Sequence, residues 1–252
     1  MLGEALAFDL TSFIFASTVL GYCAYSDWKT REFSDRLWIF SLPIAWLLTG
    51  LRVELGFLGL FQVLFSIGLT VAFALLLAFL GFWGGGDFKA FWFLASAYPV
   101  WPEFIKPILP VKLTPFPIAV LFMTLILSIA VVPHNWIRNL FYKLKHGKIF
   151  SEDAPFRLRF AAVSLGYIAK RESLEGNPKI FPLETVVDGK RRFKFFVGVP
   201  EETEIDVEKL PERLFVTPLL PFLSFTFPAL ILSTFIGDIL ATLILKILGT
   251  PF

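Results

Sequence analysis

The sequence has few of the residues that usually hold metals or covalent cross-links. Its 252 residues include one cysteine, Cys23, and two histidines, His134 and His146. A single cysteine excludes an internal disulfide and a multi-cysteine zinc site, and two histidines leave little for another metal centre. We therefore expect no metal and no cofactor. A net charge of +2 gives no reason to expect a nucleic-acid partner.

Charged residues are also scarce. They make up 17% of the chain, against 56% hydrophobic residues, and the mean hydropathy is +0.71. This composition is too apolar for a soluble domain and is typical of a protein that crosses a membrane several times, with lipid as a partner. The first five residues hold Glu4 and no basic residue, so the first apolar run is expected to be a permanent span and not a cleaved signal peptide.

Apolar runs predict a membrane all-α bundle of about six transmembrane helices. A hydrocarbon layer of ~30 Å needs about 20 apolar residues. The fourth run is shorter, gives only about 20 Å at ~1.5 Å per residue, and therefore predicts a helix that begins below the membrane surface. A turn at residues 52–54 is expected to end the second span. The predicted spans are residues 6–25, 37–51, 55–83, 88–100, 118–132 and a last stretch within 218–248.

Charge returns after residue 132. No run in residues 133–217 could cross a bilayer, and this segment holds most of the 23 Lys and Arg residues. We expect a small cytoplasmic α+β domain inserted before the last helix, with an amphipathic basic helix at 135–148. Residues 179–187 and 190–199 predict a β-hairpin joined by Asp188-Gly189. The expected domains are 1–132 (membrane catalytic domain, spans one to five), 133–217 (cytoplasmic domain) and 218–252 (last transmembrane helix).

The basic residues also predict the orientation. Six spans put three segments on one side of the membrane: the loop after span one, the loop after span three, and the large polar domain. Most Lys and Arg residues lie in these segments. By the positive-inside rule this side is the cytoplasm, so the chain is expected to be a multi-pass protein of the cell membrane.

The most informative short motif is Gly84-Gly85-Gly86-Asp87, which stands between two apolar segments. Three glycines give the backbone unusual freedom and remove the side chains that would keep another chain at a distance. An ionisable side chain at a membrane boundary is costly unless it faces a protein interior or water. Taken alone, the run is explained equally well as a helix stop followed by an Asp N-cap.

A second carboxylate, Asp27, ends the first span on the same predicted face. Two carboxyl groups can hydrolyse a peptide bond when the ionised one takes a proton from water and the protonated one polarises the carbonyl. A helix C-terminus at Asp27 and a helix N-terminus at Asp87 predict that Asp27 holds the proton and Asp87 is the base. Lys29 and Asp35 are candidates for loop support, and Asp35 is also a candidate N-cap. Asp9, far from this face, is not expected to be catalytic.

These residues carry a resemblance. Gly84-Gly85-Gly86-Asp87 matches the Gly-x-Gly-Asp motif of the membrane aspartyl proteases. Residues 27–37, Asp-Trp-Lys-Thr-Arg-Glu-Phe-Ser-Asp-Arg-Leu, resemble the loop after the first helix of type IV prepilin peptidases. In that family the first Asp of the loop is catalytic and a Pro-Asn or Pro-Asp pair follows it, where this chain has Ser34-Asp35. The single cysteine and the polar domain before the last span are similar to the archaeal preflagellin peptidases.

The resemblance implies an aspartic endopeptidase with Asp27 and Asp87 as its catalytic pair and Gly84, Gly85 and Gly86 as its motif loop. It implies preflagellin or pilin-like precursors as partners, whose short basic leader is cut at the cytoplasmic membrane face. Two alternatives stay open: an intramembrane-cleaving protease that shares the glycine motif, and a non-enzymatic ion-coupled transporter. The absence of a detectable internal repeat counts against the transporter.

Overall fold

The computed structural model describes residues 2–31, 34–81, 83–150, 155–174, 179–187, 190–193 and 210–249. The chain divides into two compact units, Met1–Leu127 with Pro221–Phe252, and Ser128–Leu220. The helices of the first unit are α1 (Leu2–Lys29), α2 (Arg36–Glu54), α3 (Leu60–Phe79), α4 (Gly85–Ala97), α5 (Phe116–Ser128), α8 (Phe222–Ile236) and α9 (Ile239–Ile247). The elements of the second unit are α6 (Val131–His146), α7 (Phe156–Leu165), β1 (Tyr167–Lys170), β2 (Ile180–Pro182), β3 (Glu184–Val187), β4 (Lys190–Phe193) and β5 (Arg213–Pro218).

The described residues contain fewer full-length spans than the six predicted. α4 has 13 residues, or about 20 Å, and is too short to cross the hydrocarbon layer. α8 and α9 form one candidate span only if they are taken together, with a bend of 57° between them. The count by length and composition is therefore four, or five with this bent pair. The four candidate spans are Gly3–Lys29, Arg36–Glu54, Leu60–Phe79 and Phe116–His146. The last of these comprises α5 and α6.

The short helix α4 forms the centre of the first unit. Residues 90–97 are buried except for Trp92, which is half-buried. A helix that is apolar on every side must be covered by other elements, and α4 packs against α1, α2, α3 and α8. Aromatic rings fill these contacts: the centroid of Phe93 lies 5.7 Å from that of Phe15 in α1 and 5.9 Å from that of Trp38 in α2.

The C-terminal end of α4 is buried inside the bundle, where its last carbonyl groups have no bulk water. Thr49 Oγ1 of α2 donates to Ser96 O at 2.7 Å, and Ser66 Oγ of α3 donates to Pro99 O at 2.6 Å. A helix leaves its last carbonyl groups without intrahelical donors. Thr49 supplies one of these donors, and Ser66 supplies a donor to the carbonyl of Pro99, two residues past the last residue of α4.

A buried ion pair joins the start of α1 to the end of α2. Arg52 Nη2 donates to Asp9 Oδ1 at 2.7 Å, and both side chains are almost fully buried. Tyr98 OH donates to the same oxygen at 2.6 Å, and the Glu103 N–H donates to Oδ2 at 3.0 Å. Residues 52–54, predicted as a turn, are the last turn of α2 instead. Asp9 thus fastens the loop after α4 to two other helices.

The second unit contains small antiparallel sheets. β5 lies between β1 and β2 in a three-stranded sheet, and β3 pairs with β4. The predicted hairpin pairing is present, with Thr185 opposite Arg192, while the turn at 188–189 and residues 194–199 lie outside the described residues. The predicted strand at 179–187 is divided at Leu183, because β2 pairs with β5 and β3 with β4.

Two buried asparagines on α6 hold α7. Asn135 Nδ2 donates to Ser164 O at 3.1 Å, and Asn139 Nδ2 donates to Gly166 O at 2.7 Å. Gly166 follows α7, and a Cβ there would lie 2.3 Å from Val216 O, so only glycine allows β5 to pass this closely. The opposite side of α6 is exposed, apolar and flanked by basic residues, which agrees with the amphipathic helix predicted for residues 135–148.

The buried ion pair gives a prediction for stability. Asp9→Asn and Arg52→Gln should each destabilise the protein by roughly 3–5 kcal/mol, because each leaves the other charge buried without its partner. The double variant has neither charge and should be clearly more stable than the sum of the two losses predicts. Thermal unfolding of the full-length protein in detergent measures this, and strictly additive losses would contradict the ion pair.

Candidate active site

Asp27 lies in the last turn of α1, and the first turn of α8 contacts its carboxyl group. The side chain is buried, and Oδ2 accepts the N–H of Ser224 at 3.2 Å. Ser224 belongs to the first turn of α8, and its Oγ donates to Ala24 O of α1 at 3.0 Å. These two bonds hold the N-terminus of α8 against the C-terminal turn of α1.

Two basic residues follow Asp27, and they lie differently. Arg31 has a φ of 65°, a left-handed conformation that is uncommon for a residue other than glycine. Its Nη1 lies 3.7 Å from Asp27 Oδ1. Lys29, the predicted loop support, has its Nζ 3.4 Å from Tyr25 OH and 5.7 Å from the centroid of the Tyr25 ring. Arg31, which the sequence did not single out as support, forms the ion pair with Asp27.

Asp87 lies in the first turn of α4. Its Oδ2 accepts the N–H of Gly84, the N-cap residue, at 3.2 Å. A carboxylate is favourable at this position because the N-terminus of a helix carries partial positive charge. The carboxyl group therefore stands at the open end of the helix whose other end is buried among α2 and α3.

The glycine run does not use the conformational freedom that we expected. Gly84 has an extended backbone with φ −80°, and Gly85 and Gly86 are the first residues of α4. Glycines with positive φ do occur among the described residues, but these three are not among them. A Cβ at Gly84 would meet only Asp87 Oδ2, at 3.8 Å, and one at Gly85 would meet nothing within 4 Å. The fold itself thus leaves room for a side chain at both positions.

The assignment of acid and base from helix ends needs a correction. At Asp27 the sequence argument counted only the C-terminus of α1, which disfavours an ionised carboxyl group. The structure adds the N-terminus of α8, whose Ser224 N–H bonds to Asp27, and the guanidinium of Arg31. Each carboxyl group of the pair therefore accepts an N–H at a helix N-terminus, and only Asp27 also has a cation beside it in the described structure.

An aromatic cluster connects the helices that carry the two carboxyl groups. The centroid of the Trp83 ring lies 5.0 Å from that of Phe91 and 5.2 Å from that of Phe222. Trp83 and Phe91 flank Asp87 along the chain, and Phe222 starts α8, two residues before Ser224. The first turn of α8 therefore contacts both halves of the candidate site.

A salt bridge adds a second connection at this end of the bundle. Lys89 Nζ lies 2.6 Å from Asp35 Oδ1, which ties the start of α2 to the first turn of α4. Asp35 occupies the N-cap position of α2, but its side chain makes no capping hydrogen bond, so the predicted N-cap role is wrong. The Asp35 side chain is largely exposed, and a bridge of this kind contributes at most about 1 kcal/mol. Its effect is to orient the two segments.

The other buried acids lie elsewhere. Asp9 and Asp27 are 18 residues apart on one helix, which separates them by about 27 Å. Asp238 is fully buried and accepts from Thr114 N at 2.9 Å, Thr114 Oγ1 at 2.8 Å and Ala241 N at 2.9 Å. It caps α9 and fixes the loop before α5. Among the predicted acids, the structure thus brings Asp27 and Asp87 to the same end of the bundle.

Sequence reasoning missed Ser224, Trp83 and Phe222. The available signal was a small hydroxyl residue in the first turn of an apolar helix, just after Pro221. Such a residue offers a backbone N–H and a hydroxyl group where a helix has unpaired donors. Within the described ranges, no group of three or more His, Cys, Asp or Glu residues is arranged to hold a metal ion.

Residues 14–133 match the model of the Type IV leader peptidase family. This stretch includes Asp27, the glycine run and Asp87, and it ends near the start of α6. No curated protein matches the chain.

Proposed function

From the match of residues 14–133 to the type IV leader peptidase family, we infer that the chain is a membrane aspartic endopeptidase of this type with Asp27 and Asp87 as its catalytic pair. The observation that carries this proposal is that both carboxyl groups lie at the same end of the bundle. Each accepts an N–H at a helix N-terminus, and the first turn of α8 contacts both segments. Hydrolysis by such a pair needs one ionised and one protonated carboxyl group.

The surroundings of the pair favour Asp27 as the base. Arg31 and the Ser224 N–H both stabilise a negative charge on Asp27. In the proposed step, Asp27 takes a proton from water while the water oxygen attacks the scissile carbonyl carbon. Asp87 gives its proton to the carbonyl oxygen. When the tetrahedral intermediate breaks the C–N bond, the proton held by Asp27 passes to the leaving amine. One hydroxyl group of the intermediate returns its proton to Asp87 as the carbonyl re-forms, and two peptides are released.

The glycine run gives the substrate access to this pair. Packing within the protein does not require glycine at positions 84 and 85. We propose that residues 84–86 are free of side chains because the backbone of the substrate passes beside them. An extended peptide can then reach Asp87 at the open end of α4.

The proposed substrates are pilin-type precursors, with preflagellin as the specific case. Their short basic leader would be cut where it precedes a hydrophobic helix. Lys29, Arg31, Arg36 and Lys89 lie at the same end of the bundle as the pair, so this end is proposed to face the cytoplasm. The second unit is proposed to be a cytoplasmic domain, and the count of six spans includes the short helix α4 and the pair α8–α9.

Replacement of either carboxylate tests the pair. Asp27→Asn and Asp87→Asn should each abolish cleavage of a preflagellin substrate in membranes, because neither role in proton transfer can be filled by an amide. Asp35→Asn, a carboxylate at the same end with an exposed side chain, should keep activity within a few-fold of the wild type. Substantial cleavage by either of the first two variants would exclude the proposed pair.

The same assay separates the alternatives. It is run in EDTA, where any cleavage that persists is independent of a divalent metal ion. The products are mapped by mass spectrometry. A cut before the hydrophobic stretch of the substrate supports a leader peptidase, whereas a cut within that stretch supports an intramembrane-cleaving protease. Full-length inserted protein that moves ions in liposomes and cleaves nothing supports the transporter.

Gly86→Val tests the access proposed for the glycine run. The variant should accumulate normally but lose at least about tenfold in cleavage rate, because a β-branched side chain stiffens the first turn of α4 and obstructs the substrate. The matched control is Gly68→Val on the exposed surface of α3, where a Cβ meets nothing within 4 Å. Equal activity in the two variants would show that the run is only a helix start.

Arg31→Gln tests Asp27 as the base. Loss of the guanidinium removes a charge that stabilises ionised Asp27, so the acidic limb of the kcat/KM profile should move to higher pH. Lys29→Met removes a nearby charge that lies against Tyr25, and it should leave that limb in place. A shift of the acidic limb to lower pH, or an equal shift in both variants, would contradict the assignment.

A further inference from the structure

The second unit contains a pocket that takes no part in the proposed cleavage. This open pocket has a volume of about 440 Å³, within the usual size range of small-molecule sites. One wall is aromatic: the Phe150 ring stacks on Phe215 with centroids 5.2 Å apart. The rest of the lining includes Glu184 of β3, Arg191 of β4 and Arg213 of β5. We call it the Glu184 pocket.

Glu184 is buried, and its carboxyl group is only partly hydrogen-bonded. The residue is 7% exposed, and its carboxyl group accepts the Phe215 N–H. Its Oε2 has no hydrogen-bond donor within the described part of the chain. Arg191 Nη1 lies 3.9 Å from this oxygen, which is too far for a hydrogen bond. Burial raises the pKa of Glu184, because the carboxylate has lost water and has gained little in return.

Basic side chains line the same pocket. Arg191 Nη1 donates to Arg213 O at 3.3 Å, and Arg213 Nη1 donates to Tyr142 OH at 3.1 Å. Each guanidinium has five N–H groups, so these bonds leave donors for another acceptor. Lys148 adds a third positive charge to the lining. The pocket thus combines one buried acceptor with several cationic donors.

We propose that the Glu184 pocket binds a small molecule that carries both a phosphate group and an ammonium group. The ammonium group would donate to Glu184 Oε2, and the phosphate would accept from Arg191 and Arg213, which suit it as planar, charged donors. Three basic side chains against one acidic side chain disfavour a polycationic peptide, so the occupant is not the basic leader of a precursor. The proposal does not depend on the catalytic pair.

Phosphoethanolamine is the probe, because it joins the two groups in the smallest form. Calorimetric titration of the full-length protein in an uncharged detergent should show binding at least about tenfold tighter than that of inorganic phosphate or of ethanolamine. Glu184→Gln keeps the shape of the side chain and removes its buried charge, so the variant should fold. It should bind phosphoethanolamine no more tightly than it binds inorganic phosphate.

Two neighbouring arginines give a matched control. Arg191 lines the pocket, and Arg192 does not, since adjacent side chains of a strand point to opposite faces. Arg191→Gln should weaken phosphoethanolamine binding by about tenfold, and Arg192→Gln should bind as the wild type does. Three results would each overturn the proposal: equal binding by these two variants, no advantage of phosphoethanolamine over inorganic phosphate, or unchanged binding by Glu184→Gln.

A competition arm identifies the source of the phosphate and ammonium groups. The titration is repeated with the protein in nanodiscs that contain phosphatidylethanolamine, and in nanodiscs of phosphatidylcholine alone, whose quaternary ammonium has no N–H to donate. Competition by phosphatidylethanolamine supports the site with a lipid headgroup as occupant. Undiminished binding in both kinds of nanodisc supports the site with a soluble phosphate ester as occupant.

Discussion

The structure of the first unit depends on α4, a helix that is too short to cross a membrane and ends inside the bundle. With 13 residues and a buried C-terminal end, α4 has carbonyl groups that cannot bond to water, and each unpaired backbone group in such a setting costs several kcal/mol. Thr49 of α2 donates to a carbonyl in the last turn of α4, and Ser66 of α3 donates to the carbonyl of Pro99 just past the helix. Because α4 is anchored there, its other end, with Asp87 and the glycine run, lies at the opposite end of the bundle.

The helix α8 contacts two parts of the chain that are far apart in sequence. Asp27 and Asp87 are 60 residues apart, and the residues that relate them, Phe222 and Ser224, follow more than 130 residues later. The Ser224 N–H bonds to Asp27 while Phe222 packs on Trp83 beside the glycine run. A helix N-terminus has unpaired N–H groups in any case. The first turn of α8 uses one of them to bind the carboxyl group of Asp27.

The buried carboxyl groups at the two ends of the bundle differ in the partners that surround them. At one end Asp9 is matched by Arg52, Tyr98 and a backbone N–H, all within hydrogen-bond distance. At the other end Asp27 and Asp87 each accept one backbone N–H, and the cation beside Asp27 lies 3.7 Å away. A fully matched charge stabilises a fold without offering chemistry, whereas a like-charge pair can share a proton. This contrast, more than burial alone, separates the candidate site from the structural acids.

The sequence by itself determined the membrane character, the short fourth helix, the polar insertion and the two candidate carboxylates. These follow from apolar run lengths and from a local motif, which act over neighbouring residues only. Tertiary structure decided the rest: Arg52 as the partner of Asp9, Arg31 and not Lys29 beside Asp27, and Ser224 at the site. It also showed that the glycines have ordinary backbone conformations. Contacts between residues far apart in the chain depend on how helices pack, and no local pattern encodes which face of α8 meets α1.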